Sequence, residues 1–179
     1  RRHSIAVAVG PGSFTGLRVG VVTAKTFAFA IDCPVIGVNA LEVIARQAMP
    51  RVCEKVWAVI NAQRNELFAA EFGFDLSRQA NIIELASTKI IAAEDGLSSL
   101  QEGEWISGPG LKPYLERIPD KVNLVPEDAW HPRAATVAVT GWQHYQNRAE
   151  TSALNAFALV PEYFRRTAAE EQWEARMRA

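Results

Sequence analysis

The residues best placed for chemistry lie in a glycine-rich turn that runs from Gly10 to Gly16 and follows a short apolar stretch. Glycine permits positive φ and a close backbone approach that a side chain would block. Ser13 or Thr15 can cap a following helix, and such a turn directs free N–H groups and the positive end of a helix dipole outward. Gly10, Gly12, Ser13, Thr15 and Gly16 are therefore the candidate residues for holding the phosphates of a cofactor.

The turn does not match the standard nucleotide-binding motifs. A Walker A loop has the pattern Gly-x-x-x-x-Gly-Lys-Ser/Thr, whereas Gly10 and Gly16 are one residue too far apart and Leu17 stands where lysine is needed. The dinucleotide motif needs a glycine where Thr15 stands. The alternative interpretation is a tight strand-to-helix turn that packs against its own protein. We expect no cofactor to bind tightly to this chain by itself.

No other pattern in the sequence predicts a catalytic or metal site. His3, His131 and His144 are the only histidines, and none belongs to a His-x-x-x-His or His-Glu-x-x-His pair. Ser13 and Ser107 lie in glycine turns, but neither has the Gly-x-Ser-x-Gly pattern of a nucleophile elbow. The acidic residues show no spacing that singles out a pair. We therefore predict no catalytic residue and no metal ligand in this chain.

Composition narrows the function classes further. The 179 residues are 49% apolar and 22% charged, which indicates a folded protein, and the net charge is −1. Such a charge argues against a protein that binds nucleic acid without a partner protein, because neutralising phosphates requires clustered Lys and Arg. Cys33 and Cys53 form no zinc or redox motif. No apolar stretch reaches the roughly 18–20 residues of a membrane span, so we expect a cytoplasmic protein without membrane contact.

The first part of the chain alternates strand and helix. Apolar runs at residues 5–9 and 34–38 flank a helix expected over residues 16–31, and Asn39 can cap a second helix that ends at Pro50. This order implies a parallel pair of strands joined by a right-handed crossover helix.

The pattern changes in the second part. Residues 56–60 and 66–72 flank a short polar link, which predicts a hairpin. Further strands are expected at 82–87, 105–107 and 122–125, and helices at 93–100, 112–117, 133–147 and 168–178. We predict an α/β protein of two lobes, comprising residues 1–52 and 53–179, with the boundary near residues 50–55.

The helix expected over residues 16–31 is apolar over much more than the arc of about 100° that a surface helix buries. One face, which carries Leu17, Val21, Ala24 and Ala28, is predicted to pack against the sheet of the same lobe. A second face remains to be covered, either within the same lobe or by another subunit. We predict a subunit interface that includes Val19, Val22, Thr26, Phe29 and Ala30.

Read as a longer string, Gly10-Pro-Gly-Ser-Phe-Thr-Gly-Leu-Arg-Val-Gly20 followed by Pro34-Val-Ile-Gly-Val38 resembles the bacterial TsaB family, also called YeaZ. Asn61-Ala-Gln-Arg64 and Pro161-Glu-Tyr-Phe-Arg165 are similar to that family's Asp-Ala-Arg and Pro-x-Tyr-Leu-Arg segments. The resemblance implies a two-lobed actin-like ATPase (ASKHA) fold. The family's N-terminal hairpin with its Asp-Thr-Ser motif has no counterpart here, so we expect an incomplete first lobe.

The resemblance also implies a role. TsaB-like proteins are non-catalytic partners in making N6-threonylcarbamoyladenosine in tRNA, and they pair through first-lobe helices with a TsaD-type catalytic subunit or with themselves. A TsaE-type ATPase is a further implied partner, and ATP, ADP and tRNA would meet this chain only within the complex. The alternatives are an ASKHA-type phosphotransferase or ATPase that uses the turn from Gly10 to Gly16, and a glycoprotease-like peptidase, for which the sequence offers no triad.

Overall fold

The computed structural model describes residues 3–49, 53–75, 81–147 and 158–165, together with residues 173, 176 and 177. In chain order the helices and strands are β1 (Ile5–Gly10), α1 (Phe14–Ala30), β2 (Val35–Asn39), α2 (Ala40–Ala48), β3 (Lys55–Gln63), β4 (Glu66–Asp75), β5 (Asn81–Ala92), α3 (Ala93–Ser98), β6 (Trp105–Ser107), a 3-10 helix (Pro109–Arg117), β7 (Asn123–Leu124), a short 3-10 turn (Glu127–Ala129) and α4 (Ala134–Asn147). The predicted α/β class is confirmed.

The predicted strand–helix–strand unit is present. Strands β1 and β2 pair in parallel, with Ile5 opposite Val35, and α1 connects them. Helix α1 begins at Phe14, two residues before the predicted start, because Ser13 and not Thr15 is its N-cap. The Ser13 Oγ accepts a hydrogen bond from the Gly16 N–H at 3.4 Å. This satisfies one of the N–H groups that a helix N-terminus leaves without an intrahelical partner.

Helices α1 and α4 cover opposite faces of this two-stranded sheet. A Cβ on Gly141 of α4 would lie 2.5 Å from the Cβ of Ala6, while Gly20 of α1 approaches the neighbouring Val7. Successive side chains of a strand point to opposite faces, so the two helices sandwich β1 between them. The small side chains in β1 and the glycine in α4 allow this close contact.

Helix α2 connects the two sheets. The Asn39 Oδ1 accepts a hydrogen bond from the Leu41 N–H at 2.8 Å, which confirms Asn39 as the N-cap. The helix contacts strands of both sheets, and its buried side chains face the second one. It ends at Ala48, while Pro50, the predicted end, lies outside the described residues. The same holds for residues 50–52 of the predicted lobe boundary, so the division at residue 52 stays a prediction.

The second sheet has five strands in the order β5-β4-β3-β6-β7. Strands β3, β4 and β5 are antiparallel neighbours, whereas β6 runs parallel to β3 and β7 parallel to β6. The predicted hairpin is confirmed, but most of its expected polar link belongs to β3. The turn itself is Arg64-Asn65, with φ of 50° and 58°, the left-handed conformation that suits tight two-residue hairpin turns.

Some predicted elements differ in length. Strand β5 spans Asn81–Ala92 where only residues 82–87 are predicted, because the pairing with β4 continues through Lys89–Ala92. The expected helix at 112–117 is part of a 3-10 helix that begins at Pro109. The expected tail helix at 168–178 lies outside the described residues except at residues 173, 176 and 177.

Both faces of the second sheet are covered. On one face Val56, Ala58 and Phe72 pack against α2. On the other, Val59 and Leu67 pack with α3 and the first 3-10 helix. None of the helices in the described part of the chain combines the length and the apolar character needed to cross a membrane.

Cys53 offers a test of this packing. Both cysteines are free thiols, and burial raises the pKa of the Cys53 thiol from 9.0 to about 11, because the thiolate would lose its hydration. At pH 8 the thiolate fraction is then about 0.1%. We expect alkylation of Cys53 by iodoacetamide to accelerate up to about pH 11, as followed by mass spectrometry of labelled peptides. A rate that levels off near pH 9, as in the unfolded chain, would contradict the burial.

The same raised pKa affects stability. The thiol is neutral in both the folded and the unfolded chain below the unfolded pKa of about 9, so its contribution to the free energy of unfolding is fully present there. It is lost as the pH rises through the folded value of about 11.

Candidate functional site

Helix α1 has one packed face and one exposed face. Val21, Ala24 and Ala28 are 2%, 7% and 1% exposed and lie against the β1–β2 sheet. On the other side, Val22 and Phe29 remain 62% and 73% exposed. The periodicity of the sequence therefore predicted correctly which face packs inward.

The five residues predicted for a subunit contact all lie on this exposed side, and we call them the docking face: Val19, Val22, Thr26, Phe29 and Ala30. The Thr26 hydroxyl donates a hydrogen bond to the Val22 carbonyl oxygen at 2.9 Å, so its donor is satisfied within the helix. Phe27, which is 60% exposed, extends the apolar surface beyond the predicted set. Contiguous apolar patches of this kind mark interaction sites on protein surfaces.

The first glycine of the glycine-rich turn packs against the chain itself. Gly10 has φ of +147°, and a Cβ there would lie 2.5 Å from the carbonyl oxygen of Glu162. The Glu162 N–H donates a hydrogen bond to the Val9 carbonyl oxygen at 2.8 Å. Residues 158–165, which we call the strap, thus run beside the end of β1. This contact supports the interpretation of Gly10 as a close-packing residue.

The other candidate phosphate-binding residues surround the start of α1. The Ser13 side chain is engaged in capping, while Gly12, Thr15 and Gly16 are exposed. Chain packing accounts for the glycine at position 10 and helix capping for the serine at position 13. A phosphate site formed by these five residues stays a prediction.

Polar residues of α1 hold the strap in place. The Arg18 Nε donates to the Tyr163 Oη at 2.9 Å, and its guanidinium carbon lies 4.1 Å from the centroid of the Phe14 ring. The Phe14 and Tyr163 ring centroids are 4.9 Å apart. The Lys25 Nζ donates to the Leu159 carbonyl oxygen at 3.0 Å. Sequence reasoning missed this role, since Arg18 and Tyr163 are 145 residues apart.

The strap then reaches the second sheet. Arg165 forms an ion pair with Glu66 at the start of β4, and the ring centroids of Phe164 and Phe68 are 6.2 Å apart. A cleft of about 850 Å³ lies between the glycine-rich turn, the β3–β4 hairpin and the strap, lined by residues 11–15, 61–64 and 162–165. Its lining combines aromatic rings, arginines and a single carboxylate, that of Glu162, so it offers no paired acids for general acid–base chemistry.

The remaining candidates for chemistry have structural surroundings. The His144 Nε2 lies 3.1 Å from the Glu42 Oε1, which also accepts a hydrogen bond from Arg46. Ser107 is fully buried, so no substrate can reach its hydroxyl. Within the described ranges, no group of three or more His, Cys, Asp or Glu side chains is arranged to hold a metal ion.

Comparison with known proteins adds to this geometry. A family model described as TsaD, tRNA N6-adenosine threonylcarbamoyltransferase, matches residues 2–103. The tRNA threonylcarbamoyladenosine biosynthesis protein TsaB of Bacillus subtilis is 27% identical over 94% of this chain and 72% of its own length. The protein of the same description from Haemophilus influenzae is 30% identical over 90% of this chain and 70% of its own length.

Solved structures are similar as well. The structure of YeaZ from Pseudomonas aeruginosa has a TM-score of 0.71 to this chain at 25% identity, over 89% of this chain and 73% of its own. A second structure from Pseudomonas aeruginosa, described as similar to peptidase YEAZ, has the same TM-score at 24% identity and shows the fold alone.

Proposed function

The chain belongs to the TsaB (YeaZ) family of tRNA threonylcarbamoyladenosine biosynthesis proteins, and on this premise we propose that it is a non-catalytic partner subunit in the synthesis of N6-threonylcarbamoyladenosine in tRNA. The observation that carries the subunit role is the docking face of α1. Large apolar side chains on a well-formed helix are costly to leave in water, and covering them with another subunit recovers that free energy.

The partner that fits this face best is a TsaD-type catalytic subunit. The TsaD family model covers β1, α1, β2 and α2 of this chain. A catalytic subunit of that family therefore carries a segment similar to α1, and two such helices can cover each other's apolar faces. A second copy of this chain would satisfy the same geometry, and a homodimer is an outcome that the binding test distinguishes.

The non-catalytic role is supported by the surroundings of the candidate groups. Ser107 is shut off from solvent, and His144 is engaged with Glu42. Gly10, the first of the five candidate phosphate-binding residues, packs against the backbone of Glu162. We propose that ATP or ADP, a TsaE-type ATPase and tRNA meet this subunit only in the assembled complex, in the cytoplasm.

We further propose that the two sheets correspond to the two lobes of an ASKHA-type fold, in which residues 1–52 form part of the first lobe and residues 53–179 form the second. The parallel β1–β2 pair with α1 supports the first, and the five-stranded sheet with α3 supports the second, while α4 returns from residues 53–179 to pack on the β1–β2 sheet. Helix α2 and the strap contact both sheets. A partner bound to α1 would therefore be connected to the second sheet through the strap.

The activity of the isolated chain tests the proposal. We expect the purified protein alone neither to hydrolyse ATP nor to transfer threonylcarbamoyl groups to tRNA, as measured by phosphate release and by incorporation of label from an activated threonylcarbamoyl donor. Adding it to its TsaD- and TsaE-type partners should raise the rate of incorporation by at least about tenfold, which corresponds to ~1.4 kcal/mol. Turnover by the chain alone that a single substitution in this chain abolishes would overturn the non-catalytic role.

A further inference from the structure

A cavity of about 270 Å³ lies between α3 and the five-stranded sheet, away from the docking face. Its walls include the buried side chains of Val59, Leu67, Ala69 and Leu97. The cavity opens to solvent at the exposed residues Lys89, Asp95 and Ser99, and an engineered apolar cavity of about 150 Å³ already binds benzene. This cavity therefore has room for a phenyl ring or a branched alkyl group together with a short chain.

The cavity follows from two local features of the sequence. Helix α3 has six residues and approaches β5 closely at Gly96, where a Cβ would lie 2.4 Å from the Ile91 Cδ1. Further along the sheet, Ala69 stands between Val59 and Lys89 in one row of paired residues. Because the alanine side chain is only a methyl group, there is an open space above Ala69 in the middle of this row. Helix α3 is too short to cover that space.

Two opposite charges stand at the rim of the cavity. The exposed side chains of Lys89 and Asp95 both line it, one from β5 and the other from α3. The Lys89 Nζ lies 6.0 Å from the ring centroid of Trp57, and no ion pair among the described residues uses the Lys89 or the Asp95 charge. The cavity thus combines an apolar interior with one cationic and one anionic group at its mouth.

We propose that this cavity binds a small zwitterion with an apolar side chain, of the class of the aromatic and branched α-amino acids. The apolar group enters the cavity, the carboxylate faces the Lys89 ammonium group, and the ammonium group faces the Asp95 carboxylate. This binding activity goes beyond the proposed subunit role and does not depend on it.

Other occupants fit the lining less well. Water would need two to four polar partners, and the polar side chains of the lining, those of Lys89, Asp95 and Ser99, are all exposed and not in the apolar interior. An anion without an ammonium group would face the Asp95 carboxylate, and a cation without a carboxylate would face Lys89. Only a ligand that carries both charges next to an apolar group matches all three parts of the lining.

Calorimetric titration of the full chain tests the assignment with three matched probes: L-phenylalanine, 3-phenylpropionate and 2-phenylethylamine. We expect saturable binding of L-phenylalanine with a dissociation constant below about 5 mM, and at least about tenfold weaker binding of both single-charge analogues. Lys89→Met should weaken L-phenylalanine binding about tenfold. Lys112→Met is the matched control, because Lys112 is exposed outside the cavity lining, and it should leave binding unchanged.

Two further variants test whether the ligand binds inside this cavity. Ala69→Leu fills the cavity from its floor, and Ser99→Trp blocks it from the exposed rim with little risk to folding. Circular dichroism identifies any variant that fails to fold, and a folded variant of either kind should abolish binding. The proposal is overturned if L-phenylalanine shows no saturable binding, if 3-phenylpropionate binds equally well, or if the folded Ser99→Trp protein binds as the parent does.

Discussion

Replacing Gly108 by alanine is expected to lower the free energy of unfolding by about 2–6 kcal/mol, a large share of the roughly 5–15 kcal/mol by which folded proteins are usually stable. Gly108 has φ of +131°, a backbone conformation essentially restricted to glycine. A Cβ there would also lie 2.0 Å from the carbonyl oxygen of Val59, which is held in the middle of β3. Backbone strain of about 1–3 kcal/mol and overpacking of about 1–3 kcal/mol therefore act together.

Gly103→Ala is the matched control for this substitution. Gly103 also has positive φ, +81°, but nothing lies within 4 Å of the position that its Cβ would take. We expect a loss of only about 1–2 kcal/mol, from strain alone. Urea denaturation followed by circular dichroism and tryptophan fluorescence measures both variants. If both substitutions lower the free energy of unfolding equally, Gly108 does not lie as close to Val59 as described.

The second large effect concerns the docking face. Combining Val22→Asp with Phe29→Asp should raise the dissociation constant of the complex with a TsaD-type subunit by at least about 100-fold. Burial of each of these side chains in an interface is worth about 1.5–3 kcal/mol, and each new carboxylate would lose its hydration without gaining a partner. Val22 and Phe29 are 62% and 73% exposed, so the isolated chain should stay folded.

Leu115→Asp provides the control for this pair. Leu115 is an apolar side chain with 45% exposure in the first 3-10 helix, away from α1, and its substitution should leave the affinity unchanged. Sedimentation velocity and surface plasmon resonance measure self-association and partner binding separately. If the double variant unfolds, or binds the partner with unaltered affinity, the docking face is not an interface. If the double variant loses only self-association, the face serves a homodimer and not the catalytic subunit.

Much of this protein follows from local sequence patterns. The apolar runs before Gly10 and at Val35–Asn39 form paired strands, and the 3.6-residue period of α1 correctly separates its packed face from its exposed face. The hairpin between β3 and β4 and the N-cap at Asn39 likewise depend on residues within a few positions of each other. Such features are predictable because neighbouring residues alone determine their geometry.

Other features required the tertiary structure. The contact of Arg18 with Tyr163 and the ion pair of Arg165 with Glu66 join segments about a hundred or more residues apart, and no local spacing specifies them. The cavity beneath α3 depends on how far a short helix extends over β4 and β5. Phe27 lies outside the predicted face, and its exposure depends on which neighbours α1 meets.

The glycine-rich turn shows most clearly where sequence reasoning ends. A loop that holds phosphate and a turn that packs against its own chain both need positive φ and the absence of a Cβ, so both select glycine at position 10. The residue type at position 10 is therefore compatible with either neighbour. The folded chain shows that the neighbour is the carbonyl group of Glu162, which lies beside the end of β1 although it is far along the chain.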